Sequence, residues 1–330
     1  MFTKGALTMM RTIRPRRGLA ALILLAALAL VVLSVSVLVG CGSDADTAAS
    51  PSVAASAGPI TATDDAGQRV TLEQPATRIV SLAPANTEIA YAIGAGDKMV
   101  AGTSYDDYPE EAKALPKVGD FANPSVEKIA SFEPDLVLAA GGIQAGLRSK
   151  LEKLGMQVYV VDPKTYEGVM TAISRLGQLA GTSAQAEKAV QGMTQARDEV
   201  QAKVASLSRP STFLEIYSKP LMTAGTDTFI DDMVTLAGGA NLGATAGSGF
   251  PNFSSEVLFE DDPEVYIADS GSMSEPGAIA ERPGFADLTA VKSGHVYVID
   301  DNLIARPGPR LAEGLQELAK MIHPEAYSAQ

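Results

Sequence analysis

A chain of 330 residues, 46% hydrophobic and 20% charged, has the composition of a folded protein with room for two domains. Lys and Arg number 26 against 39 Asp and Glu, a net charge of −13, which argues against a nucleic-acid binder with its basic face. One cysteine excludes an intramolecular disulfide and any cysteine-rich zinc or iron–sulfur site, and two histidines are too few for a poly-histidine metal centre.

Residues 1–17 carry Lys4, Arg11, Arg14, Arg16 and Arg17 and no acid, and an almost unbroken Ala/Leu/Val run follows from Gly18 to Val39. A basic segment ahead of an apolar one is the secretory pattern. The run is also long enough to span a bilayer, so an uncleaved anchor is the alternative. Leu38-Val39-Gly40-Cys41 favours export: it resembles the bacterial lipobox, whose Cys is lipidated and begins the mature protein, and the chain's single Cys stands there. The expectation is a signal peptide over 1–40 and a lipid on Cys41, each buried CH₂ contributing about 0.8 kcal/mol of anchoring. Without residues 1–40 the chain keeps 21 basic and 39 acidic residues, a charge of −18. Residues 41–59, rich in Ala, Ser and Pro, have too little apolar bulk to pack and are predicted to form a flexible tether.

Structured text begins at Ile60. Ile60–Thr63 and Arg69–Leu72 flank Asp64-Asp65-Ala66-Gly67, a predicted hairpin. A short buried strand is expected at 78–82, then a helix starting at 84–88 with Asn86 or Thr87 near its cap and ending at Gly94. Strand and helix signals alternate from there, the pattern of α/β architecture. Two blocks then repeat in the same order. Glu127 lies seven residues before Pro134-Asp135 and an apolar strand, as Glu256 lies seven before Pro263-Glu264 and another. Val158-Tyr-Val-Val-Asp162 is likewise echoed by Val296-Tyr-Val-Ile-Asp300. Such an echo suggests two lobes of one plan. Between them, 183–208 places Ala186, Ala189, Val190, Met193, Ala196, Val200 and Val204 at helical spacing, a stiff connection rather than a floppy hinge. The expected organisation is an N-terminal lobe over 60–182, a connecting helix over 183–210 and a C-terminal lobe over 211–330.

Chemistry for catalysis is sparse. A Ser/His/Asp triad would have to use His295 or His323, both in positions expected to be structural, and no phosphate-binding glycine loop appears. Asp106-Asp107 and Glu110-Glu111 sit in a proline-bearing loop and suggest a solvated surface. An exported hydrolase is therefore the weaker alternative to binding in a cleft between two lobes. Tyr105, Tyr108, Phe121, Met222, Phe250, Phe253 and Arg306 are candidates for its lining, Arg306 for meeting an anionic group.

The segment from Arg78 to His323 resembles the helical-backbone solute-binding lipoproteins of ABC importers, which capture vitamin B12, ferric siderophores or haem. The motifs that carry the resemblance are Arg78-Ile-Val-Ser-Leu-Ala-Pro-Ala-Asn-Thr-Glu88, Ser104-Tyr-Asp-Asp-Tyr-Pro109, Val118-Gly119, the Glu127 and Glu256 blocks and Leu236-Ala-Gly-Gly239. The resemblance implies an α/β fold of two Rossmann-like lobes joined by one long helix, with the ligand cleft between them and little closure on binding. It implies a monomeric receptor, without catalysis, cofactor or resident metal. Such a receptor is tethered outside the cell membrane and hands its cargo to a permease and its ATPase. Glu127 and Glu256 match the residues that dock onto permease arginines, and Tyr105, Phe121 and Phe250 match aromatic cleft positions of B12-binding members. Two of those positions are Trp in the B12 binder, and this chain has no Trp. The ligand expected is a corrinoid, the alternative a ferric siderophore or haem.

Overall fold

The computed structural model describes residues 58–271 and 276–328. The signal peptide over 1–40 and the lipidation of Cys41 lie outside these residues, as does nearly all of the tether. Strands β1 (Ile60–Thr63) and β2 (Arg69–Leu72) form the predicted antiparallel hairpin, with Ile60 opposite Leu72. The first lobe follows with β3 (Ile79–Ser81), α1 (Pro84–Ala92), β4 (Met99–Ala101), α2 (Val126–Ser131), β5 (Leu136–Ala140), α3 (Arg148–Glu152), β6 (Val158–Val161) and α4 (Tyr166–Ala180). Helix α5 spans Ser183–Val204. The second lobe holds β7 (Ser211–Ser218), β8 (Leu221–Thr223), α6 (Phe229–Leu236), β9 (Ala240–Asn241), α7 (Ser255–Asp261), β10 (Val265–Asp269), α8 (Thr289–Lys292), β11 (Val296–Ile299), α9 (Asp301–Ile304) and α10 (Leu311–Ile322). Among the described residues no helix is long and apolar enough to cross a membrane.

The two sheets share a plan. The first has the order β4-β3-β5-β6, all parallel, and the second β8-β7-β10-β11, with β8 antiparallel and β9 added against β7. The sequence echo is this plan written twice: α2 leads into β5 and α7 into β10, each a strand beside the first of its lobe. Strands β3, β5, β6 and β10 are buried on both faces, as parallel strands covered by helices must be. Their alternation sorts two cores. Leu136, Leu138, Tyr159 and Val161 face a large central core, whereas Val137, Ala139, Val158 and Val160 face an outer core of the first lobe. In the second lobe Leu214, Val265 and Ile267 join the same central core, and Phe213, Tyr266 and Ala268 face an outer one.

That central core continues from one lobe into the other. Ala186, Met193 and Val200 of α5 belong to it together with residues of α4 and of α10. At 22 residues the helix is about 33 Å long. It lies packed on α4 and α10 along its length, so it joins the lobes by sharing their core rather than by holding them apart.

The turn before each Pro explains the rest of the echo. Glu133 and Asp262 both have left-handed backbone, with φ of 46° and 42°, and end their helices ahead of the proline. The acid after the proline then ties down the start of the neighbouring strand. Asp135 accepts hydrogen bonds from the N–H and hydroxyl of Thr77 at 2.7 and 2.8 Å and from the N–H of Arg78 at 3.1 Å. Glu264 accepts from the N–H of Ser211 at 2.8 Å.

Candidate functional site

The carboxyl ends of the parallel strands open onto a cleft of about 700 Å³. Its first wall comes from the turn after β3 into α1, from Phe121, from residues 140–143 after β5 and from 162–164 after β6. Its second wall comes from Ile216 on β7, Met222 on β8, residues 227–230 at the start of α6, Gly249 and Phe250, and residues 305–307 after α9. This is where ligands collect in open α/β sheets. Gly141 is required by the close approach of β5 and β6: a Cβ there would stand 2.2 Å from the Asp162 carboxylate.

Helix α1 starts at Pro84, earlier than the cap expected at Asn86 or Thr87. Ala83 is the N-cap and gives no side-chain bond, and proline at the first position needs no N–H partner. Thr87, inside the first turn, donates its hydroxyl to Asp106 at 2.7 Å. Asp106 also accepts from the N–H of Thr103 at 3.0 Å and is buried, so the expectation of a solvated acid is corrected at Asp106, whereas Asp107 is exposed. Its loop is anchored through this carboxylate.

Asp107 has a different task. It accepts from Arg306 Nη1 at 2.6 Å, and that guanidinium also reaches Glu88 at 3.0 Å. Arg310 adds two bonds to Glu88, at 2.8 and 2.6 Å, and its guanidinium lies 4.2 Å from the centre of the Tyr108 ring. Glu88, 3% exposed on α1, is thus held by two arginines of the second lobe. Burial works against the Arg306 charge, but the bonds to Asp107 and Glu88 outweigh it and hold the guanidinium above its ordinary pKa. The same bond keeps the Asp107 carboxyl below the usual range. Arg306 lines the cleft as expected, but its charge is already matched. The other lining cation, Lys164, is bonded to Asp162 at 2.8 Å. Among the described residues both cations of the cleft wall are therefore paired.

Of the aromatic candidates, Phe121 and Phe250 line the cleft from opposite lobes, with Met222 beside Phe250's wall. Tyr105 does not. It is 59% exposed and lies outside the lining residues. Phe253 is buried in the outer core, its ring 4.9 Å from that of Phe213. Neither histidine lines the cleft; His323 is buried with Nε2 3.2 Å from the Gly238 carbonyl.

Ile143, 65% exposed, faces the cleft mouth from the first lobe, as the 48% exposed Phe250 does from the second. Sequence reasoning missed Ile143, Ile216 and the pair Asp162–Lys164. Asp162 had a signal, since it ends a strand in the repeated block. Buried Gln144 was also missed. Its amide donates to the carbonyls of Leu82 and Phe121 at 2.7 and 2.8 Å and accepts from the N–H of Ala140 at 2.8 Å, fixing three loops of the first wall.

Glu127 and Glu256 are both exposed, each in the first turn of a short helix capped by a serine, Ser125 on α2 and Ser254 on α7. Two residues on, Ile129 and Leu258 anchor those helices in the outer cores. The Glu127 carboxyl is held below the usual range by its own backbone N–H and by the Ser125 hydroxyl.

Residues 79–303 match the model of a family described as periplasmic binding protein. The chain is 34% identical over 323 residues to an uncharacterized ABC transporter substrate-binding lipoprotein, YvrC, of Bacillus subtilis, a match covering 95% of this chain and 99% of that one. The periplasmic vitamin B12 binding protein BtuF of Vibrio cholerae superposes with a TM-score of 0.68 at 29% identity, over 77% of this chain and 99% of that one. The periplasmic heme-binding protein RhuT of Roseiflexus superposes with a TM-score of 0.67 at 25% identity, over 76% and 98%.

Proposed function

The chain belongs to the periplasmic binding protein family and is an extracytoplasmic ABC transporter substrate-binding protein, and from that premise we propose that its cargo is a corrinoid. The observation that carries this reading is an apolar cleft whose two wall cations, Arg306 and Lys164, are already ion-paired. An anionic siderophore or the propionates of haem would enter without a compensating charge, and burying an unpaired anion is costly. A flat, uncharged macrocycle instead covers Phe121, Phe250, Ile143 and Met222, each large apolar side chain contributing about 1.5–3 kcal/mol when fully buried. The lining also holds no His or Tyr among the described residues to serve as an axial ligand to haem.

The experiment is native mass spectrometry after incubation with cyanocobalamin, a mixture of ferric siderophores and haem. Retention of the corrinoid alone is the expected result; retention of haem or a siderophore alone overturns the ligand assignment. Turnover of a test ester with nothing retained supports the hydrolase instead.

Delivery to the permease is assigned to Glu127 and Glu256, one exposed carboxylate on the corresponding helix of each lobe. Two such contacts fix the register of a receptor on its partner. The double variant Glu127→Ala/Glu256→Ala is expected to abolish uptake in whole cells while leaving corrinoid affinity within about twofold. Loss of affinity would place those residues in binding rather than docking. Cys41 is assigned the lipid: Cys41→Ala should release the protein from the membrane fraction, and an unchanged distribution would refute the anchor.

A further inference from the structure

Two buried carboxamides stand in or behind the first wall of the cleft, and the fold treats them oppositely. Gln144 has its amide bonded to three loops. Asn86, 1% exposed and part of the cleft wall, has an Nδ2 with no hydrogen-bond partner among the described residues. Folded proteins leave few buried polar groups unmet, and each such group calls for an explanation.

The helix start around Asn86 supplies no partner and competes for none. Pro84 has no N–H, and the N–H groups of Asn86 and Thr87 both donate to the Ala83 carbonyl, at 3.1 and 3.2 Å. The N–H groups of Asn86 and Thr87 are thus spent on the turn, and the buried Asn86 side chain keeps a donor that this helix end does not use. The terminal torsion of Asn is broad, so a small rotation turns the NH₂ toward the cleft. Apolar neighbours Ala83, Pro84 and Ala85 flank it, so a hydrogen bond formed there is shielded from water and discriminates strongly.

We infer that Asn86 is a ligand-binding residue whose carboxamide donates to a neutral carbonyl oxygen on the edge of the cargo, of the kind borne by carboxamide side chains. This rests on the corrinoid reading and deepens it, because a corrin ring carries neutral carboxamides around its rim whereas haem carries propionates. A carboxylate would also accept the bond, but both wall cations are already paired.

The test is titration of wild type and Asn86→Leu with cyanocobalamin, with thermal melts of both in the free state. The expected result is about tenfold weaker binding by Asn86→Leu, which converts to about 1.4 kcal/mol, with a free-state melting temperature equal to or above that of wild type, since no protein hydrogen bond is lost. A merely structural Asn would lower the melting temperature, and a bystander would leave affinity unchanged; either result overturns the inference. If Asn86→Leu fails to fold, Asn86→Ala serves with the same expectations. Wild type that does not bind cyanocobalamin at all refutes the corrinoid reading and this inference with it, an outcome distinct from a variant that binds as wild type does.

Discussion

Single residues in this chain take their meaning from partners far away in sequence. Asp269, at the end of β10, is 5% exposed. Burial raises its pKa, the N–H of Gly271 opposes that, and Asp301, Asp300 and Glu215 raise it further, to about 6. An acid whose folded pKa lies above its unfolded value binds more protons folded than unfolded between about pH 4 and 6, so its contribution to stability falls as pH rises through that window. Asp269→Asn keeps an oxygen for the Gly271 N–H and removes the charge. Thermal melts should show it more stable than wild type by about 1 kcal/mol at pH 7.5, after allowance for solvent screening, with the gain vanishing toward pH 4. A gain equal at both pH values would contradict this account. Nothing in the sequence marked Asp269 or Gln144, and Glu88 stood only as the end of a motif, because their roles depend on burial and on which distant groups meet them. Phe121 and Phe250 were legible because aromatics in loop text beside Gly, Pro or Asp have little local structural reason to be there. The same signal offered Tyr105, which is exposed and outside the lining residues of the cleft.

Among elements, the repeated block shows what a sequence repeat can and cannot say. The spacing from Glu127 to Pro134 and from Glu256 to Pro263 was visible, and so was the pairing of each block with a later strand. The reason for the acid after each proline was not, since it lies in bonds to strands 50 or more residues away. Removing Asp135 leaves the N–H groups of Thr77 and Arg78 without their carboxylate. Asp135→Ala is expected to cost about 1–2 kcal/mol in urea denaturation. Glu264→Ala, which has fewer bonds to lose, should cost less; unchanged midpoints for both would show that the staples do not hold the strands. The long helix was legible from its spacing: it starts at Ser183 as expected but ends at Val204, short of the end expected at 208–210. Its packing was not legible, because small residues such as Ala186 give no sign of whether they face solvent or a second lobe.

Across the whole molecule, the lobes are joined by the central core and, beside the cleft, by Glu88 with Arg306 and Arg310. Glu88 is nearly inaccessible while the arginines are partly exposed, so removing the carboxylate strands the Arg310 guanidinium against a low-dielectric wall and leaves Arg306 with Asp107 alone. Glu88→Ala is expected to lower stability by about 2–3 kcal/mol in chemical denaturation. It should also leave Arg306 and Arg310 with Asp107 as their one carboxylate, an excess positive charge beside the cleft, and so strengthen binding of anionic ligands. A stable variant with unaltered ligand preference would show that the cluster neither fastens the lobes nor neutralises the cleft. The central claim is that the cleft receives an uncharged macrocycle between apolar walls. Isothermal titration with cyanocobalamin at low and high salt tests it most directly. The account predicts one site per chain, a negative heat-capacity change from apolar burial and an affinity that salt leaves unaltered. No heat with cyanocobalamin, together with salt-sensitive binding of haem or an anionic siderophore, would contradict it.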